Sequence, residues 1–194
     1  NVGGKLISRE LDGSINSTTY GETIKRSKKL ANALTKLGVN LYDRVATIAW
    51  NNSRHFETYF AVSGMGAILH TLNPRYSPDQ LIYILNHAED TVLIIDSTFI
   101  PLVESVQDKL DTVETIIITS SQDAIPQNNL NNVFSYEELI KDETDEYDWP
   151  ELNENDAASL CYTSGTTGNP KGVLYSHRST ILHAVSISGT MGFE

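Results

Sequence analysis

Several things are scarce in this chain, and each shortage removes a class of protein. A single cysteine, Cys161, stands among 194 residues. No internal disulfide can therefore staple the fold, and a reducing compartment, the cytoplasm, suits it. Cys161 itself lies in an apolar, strand-like run and reads as a buried small hydrophobe, not a nucleophile. No apolar run approaches the roughly 20 residues a bilayer span requires, so no transmembrane segment is expected. Basic charge is outnumbered: 14 Lys and Arg face 25 Asp and Glu, for a formal net charge of −11. Such a balance argues against a nucleic-acid partner or an anionic membrane surface. His55, His70 and His87 lack ligand-like spacing, which disfavours a metal cluster.

Hydrophobic residues make up 40% and charged residues 20%, as in a globular protein with a real core. The acids are unevenly placed. Asp142, Glu143, Asp145, Glu146, Asp148, Glu151, Glu154 and Asp156 crowd one segment, which reads as a solvated linker. From Ala157 to Phe193 there is no acid at all, although Lys171 and Arg178 are present. An anionic ligand would require that separation.

Inside the acid-free window lies Tyr162-Thr-Ser-Gly-Thr-Thr-Gly-Asn-Pro-Lys-Gly172. Thr163, Ser164, Thr166 and Thr167 supply hydroxyl donors, and Gly165 and Gly168 can adopt positive φ and bring backbone N–H groups near a ligand. Pro170 stiffens the exit and Lys171 adds a mobile positive charge. The stretch reads as a loop that holds an anion. Its flanks, 158–162 and 173–176, are strand-like, so the loop joins two strands. A Walker A loop would place Lys directly after the second glycine and ahead of a helix, and the G-x-G-x-x-G fingerprint is absent. The plain alternative is a glycine-rich surface hairpin, which does not account for hydroxyls, glycines and a lysine converging in one window.

Residues 163–172 resemble the phosphate-binding motif of the adenylate-forming, AMP-binding acyl-CoA synthetase superfamily. The continuation Val173-Leu-Tyr-Ser-His-Arg178 is most similar to the fatty acid–CoA ligase branch. His70-Thr-Leu-Asn-Pro-Arg75, Leu85-Asn-His-Ala-Glu-Asp90 and Tyr175-Ser-His-Arg-Ser179 resemble medium- and long-chain members, including methylthiopropionate–CoA ligases. The resemblance implies part of the acetyl-CoA synthetase-like N-terminal domain, ATP and coenzyme A as co-substrates, Mg²⁺, and a carboxylic acid as the molecule activated. It also allows a homodimer of the full-length protein. It assigns Thr163, Ser164, Gly165, Thr166, Thr167, Gly168, Lys171 and Gly172 to the nucleotide phosphates, with Lys171 as the catalytic counter-charge and Thr163 as a metal contact.

The family's aromatic-Gly-x-Thr-Glu motif, its ribose-binding aspartate and its C-terminal lysine are not found in these residues. The expectation is therefore an N-terminal portion of a large adenylation domain, inactive alone, with 120–156 as polar loop and linker and 157–194 as the phosphate-loop unit. Rival readings are a carrier-protein ligase, a luciferase-like oxygenase, or a non-catalytic nucleotide-binding module. His177 reads as structural and bonded to backbone, Arg178 as a surface or supporting cation. Thr180 and His183 face either a nucleotide or solvent.

The remaining chain alternates strands and helices. A hairpin turns at Asp12-Gly13, and Thr19 opens a helix with Ile24, Leu30, Ala31, Leu34 and Leu37 on one side, closed by Gly38. Strands follow at 44–50, 67–72, 91–96 and 115–119. Helices begin at Ser53, which caps its own, and at Ser77, and run over 98–110 and from Ser135. A last helix holds Ile181, Leu182, Val185 and Ile187. Continuous apolar strands between helices predict an α/β fold, a mostly parallel sheet covered by helices on both faces.

Overall fold

A computed structural model of the chain describes residues 4–10, 13–163 and 169–191. It begins with an antiparallel hairpin, β1 (Lys5–Arg9) and β2 (Ile15–Thr19), paired from Lys5↔Thr19 to Arg9↔Ile15. Asp12 of the expected turn lies outside the described residues, while Gly13 takes a left-handed φ of 84°. Helix α1 (Tyr20–Lys36) starts where Thr19 accepts the Glu22 N–H and stops in a left-handed Gly38. The Gly38 N–H reaches Thr35 O and the Val39 N–H reaches Leu34 O, each at 3.0 Å. These paired bonds satisfy the last carbonyls, and a left-handed glycine allows them at no steric cost.

The main sheet has seven strands: β3 (Arg44–Ile48), β4 (Ile68–Thr71), β5 (Val92–Ile95), β6 (Thr115–Ile118), β7 (Val133–Ser135), β8 (Ala157–Thr163) and β9 (Lys171–Ser176). Their order is β7-β6-β5-β3-β4-β8-β9. Every neighbouring pair is parallel except β8 with β9. Successive strand residues feed two separate cores, so neither face is polar. Val45, Leu69, Val92, Ile94 and Ile117 pack with Leu30, Ala31 and Leu34 of α1 and with Ala61 and Val62 of α2 (Ser53–Gly64). Tyr136 and Ile140 of α5 (Tyr136–Lys141) complete that layer. Ala46, Ile48, Leu93, Ile95, Ile116 and Ile118 pack on the other side with Leu81, Ile84 and Leu85 of α3 (Pro78–Ala88) and Ile100 and Val103 of α4 (Ile100–Glu104). A wholly buried leucine such as Leu85 contributes about 1.5–3 kcal/mol.

Local chemistry departs from expectation at four places. The cap of α2 is Asn52, whose side-chain oxygen accepts the His55 N–H, not Ser53, which is already the first helical residue. The expected helix over 98–110 is broken. Pro101 lacks an N–H near the start of α4, and Ser105 turns its hydroxyl back onto Leu102 O at 2.7 Å just past its end. Ile24 of α1 is 51% exposed; Thr23 and Ser27 take the inward positions because the Ser27 hydroxyl bonds Thr23 O and Glu57 O. Strand β7, only three residues long, carried no legible pattern. A further helix, α6 (His177–Met191), follows β9, and Ile181, Leu182 and Val185 on it are exposed.

The acidic segment lies across the helices. Lys36 bonds both oxygens of Glu143 at 2.7 and 2.8 Å, and the Asn32 amide donates to Thr144 O and Glu146 O. Trp149 lies against Gly64, where an added Cβ would come within 2.7 Å of its ring.

Under the hairpin an ionic network ties three helices. Arg26 reaches Glu57 at 2.8 Å and Glu137 at 3.0 Å, Arg54 reaches Glu137 at 2.7 Å and Glu10 at 3.0 Å, and Tyr136 donates to Glu57 at 2.7 Å. Burial pushes the Glu57 carboxyl up. Burial also works to raise Glu137, but the bonds and charges of Arg26 and Arg54 outweigh it and hold that carboxyl below its ordinary range. Stability from Glu137 is therefore complete above the unfolded value, about 4.3, and is lost as the pH falls through the lower folded value. With Glu137 three-quarters buried, Glu137→Gln is expected to cost about 2 kcal/mol at pH 7 by leaving two arginines short of a partner. Urea unfolding at pH 7 and pH 3 checks this: the deficit should shrink at the lower pH, and an equal deficit at both refutes the charge-based account.

Candidate functional site

Strand β8 is the element that delivers the site. On one side it runs parallel to β4, from Leu69↔Ser159 to Thr71↔Cys161; on the other it pairs antiparallel with β9 as far as Thr163↔Lys171. The chain thus leaves the sheet after Thr163 and returns at Lys171, directly opposite. Ser164, Gly165, Thr166, Thr167 and Gly168 lie outside the described residues. Of the expected site residues the structure places Thr163, Lys171 and Gly172 together at one end of the hairpin. Thr163 and Lys171 are exposed, and a long contact of 3.5 Å joins the Thr163 hydroxyl to the Lys171 carbonyl. Among the described residues no carboxylate pairs with Lys171.

The opposite end of β8 holds the acids. Glu154 bonds the Arg178 guanidinium at 2.6 Å, and Asp156 accepts from Tyr42 and from the Asn153 N–H. Six residue steps separate Ala157 from Thr163, about 20 Å along a strand. Arg178 therefore serves Glu154 and does not join Lys171. The His177 N–H donates to Asp156 O, a main-chain bond that says nothing of the imidazole, whose Nε2 is buried with no hydrogen-bond partner. His177 and Thr180 also border an apolar cleft of about 430 Å³ with Phe56, Tyr59, Phe60 and Ile181. Thr180 returns its hydroxyl to Ser176 O, and His183 is exposed. Cys161 is half-buried, its sulfur 3.3 Å from the Thr71 hydroxyl, and so is less enclosed than its apolar run implied.

Behind Thr163 stands a polar cluster that spacing alone did not reveal. His70, fully buried on β4, holds Asp90 at 2.7 Å, and the His70 ring lies 5.2 Å from the Tyr162 ring. The Tyr162 phenol meets His87 Nδ1 at 2.6 Å, and the Tyr76 hydroxyl donates to the Tyr162 carbonyl at 2.9 Å. Burial pushes the Asp90 carboxyl up, with His70 pulling partly against it. Burial, then the Asp90 charge, pushes the Tyr162 phenol up to about 12, so it stays protonated and able to donate to His87. The one trace of this cluster in the sequence is that His70, His87 and Asp90 fall in segments with a family resemblance, and Tyr76 just beyond one.

Gly172 has a packing reason of its own. A Cβ there would sit 3.2 Å from both Leu160 and the Tyr162 ring. The other features of this end are paired strands, a lysine with no carboxylate partner among the described residues, and Glu154 and Asp156 at the far end of β8.

A family model described as AMP-binding enzyme matches residues 6–193. The chain belongs to the AMP-binding enzyme family. It is 48% identical over 182 residues to the 3-methylmercaptopropionyl-CoA ligase of Ruegeria lacuscaerulensis, covering 93% of this chain and 33% of that protein. To the medium-chain-fatty-acid–CoA ligase of Ectopseudomonas oleovorans it is 46% identical over 182 residues, covering 94% and 33%. The crystal structure of the anthranilate CoA ligase AuaEII with anthranoyl-AMP superposes with a TM-score of 0.80 at 26% identity, over 88% of this chain and 32% of that one. The chain thus spans about a third of the length of these relatives. The expected fold and family are borne out, and so is the resemblance to medium-chain and methylthiopropionate ligases.

At Gly172 the AMP-binding chain allows a direct test of packing. Gly172→Ala is expected to cost about 1–2 kcal/mol, because the clamped Tyr162 ring must give way. Thermal unfolding measures it, and an unchanged midpoint would mean that the ring moves aside freely.

Proposed function

We propose that the full-length protein is an ATP-dependent carboxylic acid–CoA ligase, in which this chain grips the nucleotide's phosphates. A carboxylate oxygen attacks the α-phosphorus of ATP, and the bond to the β-phosphate oxygen breaks, giving acyl-AMP and pyrophosphate. The thiol of coenzyme A then attacks the acyl carbon, its proton is lost to solvent or a base, and AMP leaves. The observation that carries this reading is the Thr163↔Lys171 pairing, which sets a hydroxyl opposite a cation that has no carboxylate partner among the described residues, in an acid-free stretch of sequence. Support for a CoA ligase, and for a medium-length or sulfur-containing acid as substrate, comes from the names of the relatives. The lone cysteine and the acidic surface suit the cytoplasm.

The chain's own residues act on the leaving group. As pyrophosphate departs, negative charge builds on its oxygens, and hydrogen-bond donors and a cation stabilise it. Thr163 supplies a hydroxyl, Lys171 a point charge, and residues 164–168 further hydroxyls and amides. Tyr162 keeps β8 extended into the loop, and Pro170 gives up no donor at its exit. Magnesium would neutralise phosphate charge, but the donor set here does not build a site for it. Thr163 offers one hydroxyl oxygen, and among the described residues no group of three or more His, Cys, Asp or Glu stands ready to hold a metal. No helix of the described residues is long and apolar enough to cross a membrane.

ATP–pyrophosphate exchange on the full-length protein, with carboxylic acids of graded length, tests the reading. Acid-dependent exchange is expected, and none with any acid would leave a nucleotide-binding module. Lys171→Ala should slow exchange about a hundredfold to a thousandfold, in line with the loss of a charge-stabilising donor. A rate equal to wild type would remove Lys171 from the mechanism.

A further inference from the structure

We propose that Tyr76 is a positioning residue for the phosphate-binding segment: its hydroxyl fixes the Tyr162 peptide, and through it the placement of Thr163 opposite Lys171. This rests on the proposed role of that segment and extends it to a residue outside it. The argument begins with a missing ladder. Strand β8 is paired with β4 only as far as Thr71↔Cys161. Past Thr71 the neighbouring chain turns away through Asn73 and Pro74, so Tyr162 and Thr163 project beyond it, held on that side by no strand. At the first unpaired step the Tyr76 hydroxyl donates to the Tyr162 carbonyl at 2.9 Å. A side chain thereby takes the place of the absent backbone partner.

Tyr76 is itself well fixed. Its N–H bonds Asn73 O at 3.1 Å, the Arg75 N–H bonds the Asn73 side chain at 3.0 Å, and its ring packs on the α3-side core. Around the Tyr162 side chain three other groups close in. His87 meets the phenol, the His70 ring held by Asp90 lies alongside, and Gly172 leaves room for the ring on β9. Those three close on the side chain; on the β4 side Tyr76 alone holds the backbone, while the ladder to β9, Tyr162↔Gly172 and Thr163↔Lys171, holds the other edge. Loss of its hydroxyl would leave the apolar packing in place and release only the peptide that leads into Thr163. The consequence falls on phosphate binding, not on the acid.

The test uses the full-length protein and its Tyr76→Phe variant. Calorimetric titration with inorganic pyrophosphate and magnesium reads the segment without chemistry, and exchange kinetics read ATP and acid separately. One neutral hydrogen bond corresponds to about a fivefold change in affinity. Tyr76→Phe is thus expected to weaken pyrophosphate binding and raise the KM for ATP about threefold to tenfold, with the KM for the acid and the melting temperature unchanged. Unaltered pyrophosphate affinity overturns the proposal. So does equal weakening for acid and phosphates, which marks a general structural loss, and so does a wild type that binds no pyrophosphate. A wild type without acid-dependent exchange whose pyrophosphate binding still falls in Tyr76→Phe would refute the ligase reading and uphold the positioning role.

Discussion

Strand β8 carries two different hydrogen-bond ladders, and the site depends on that. Its parallel ladder to β4 anchors it in the sheet, where slipping by one residue would turn the buried Ala158 and Leu160 outward. Its antiparallel ladder to β9 makes the chain reverse, and reversal needs a connecting loop. Burial fixes the register of β8, and the ladder to β9, whose residues 171–175 are exposed, fixes where the chain returns. The two ladders end at different points. The one to β9 continues two residues further than the one to β4; in that gap Tyr76 bonds the Tyr162 carbonyl, while His87 and the His70–Asp90 pair lie about the Tyr162 ring. A polar cluster thus gathers about Tyr162, where the ladder to β4 stops.

The same strand resolves an electrostatic conflict. A chain with a net charge of −11 is a poor partner for a polyphosphate, unless its acids stand well away. Glu154 and Asp156 sit at the start of β8 and Thr163 at its end, about 20 Å apart by strand geometry. At that distance a unit charge in water contributes about 0.2 kcal/mol. Physiological salt, with a screening length of about 8 Å, reduces it further. Nearby acids are also engaged: Glu154 with Arg178, Glu143 with Lys36, Asp145 with Lys25. Strand length does most of the work, and local pairing adds to it.

Much of this was legible in the chain, for physical reasons. Apolar runs such as Val92–Ile95 and Thr115–Ile118 announce buried parallel strands, because both of their faces must be apolar. The glycine after Leu37 and the Ser77-Pro-Asp-Gln80 box mark helix ends through chemistry that acts within a few residues. What was not legible depended on partners distant in sequence. Asn52 outcompetes Ser53 as a cap because Asp96, more than forty residues on, holds the Trp50 N–H and the Asn52 amide. The three residues of β7 are too few to show a period and become a strand because β6 offers an edge. His70 and His87 read as unrelated histidines because α3 separates them, and only the fold brings both to Tyr162.

Two buried polar clusters remain to be explained, since replacing buried charge by well-packed apolar groups is often neutral or stabilising. Hydrophobic contact is non-directional and tolerates small slides of one element over another. Hydrogen bonds to charged groups do not. The Arg26–Glu57–Tyr136–Glu137–Arg54 network lies on the α1 and α2 face and fixes three helices and the hairpin relative to each other. The His70–Asp90 pair lies on the α3 face and is less than optimal for stability, because His70 Nε2 and Asp90 Oδ1 are buried with no hydrogen-bond partner. A pair that leaves two polar atoms unsatisfied is better understood through what its direction fixes, which is a ring set against Tyr162. The clusters stand on opposite faces of the sheet and share no residue. One can therefore lose strength without displacing Thr163, and the other can shift Thr163 without loosening the helices, so the packing of the helices and the geometry of the Thr163 end of β8 are set by separate groups.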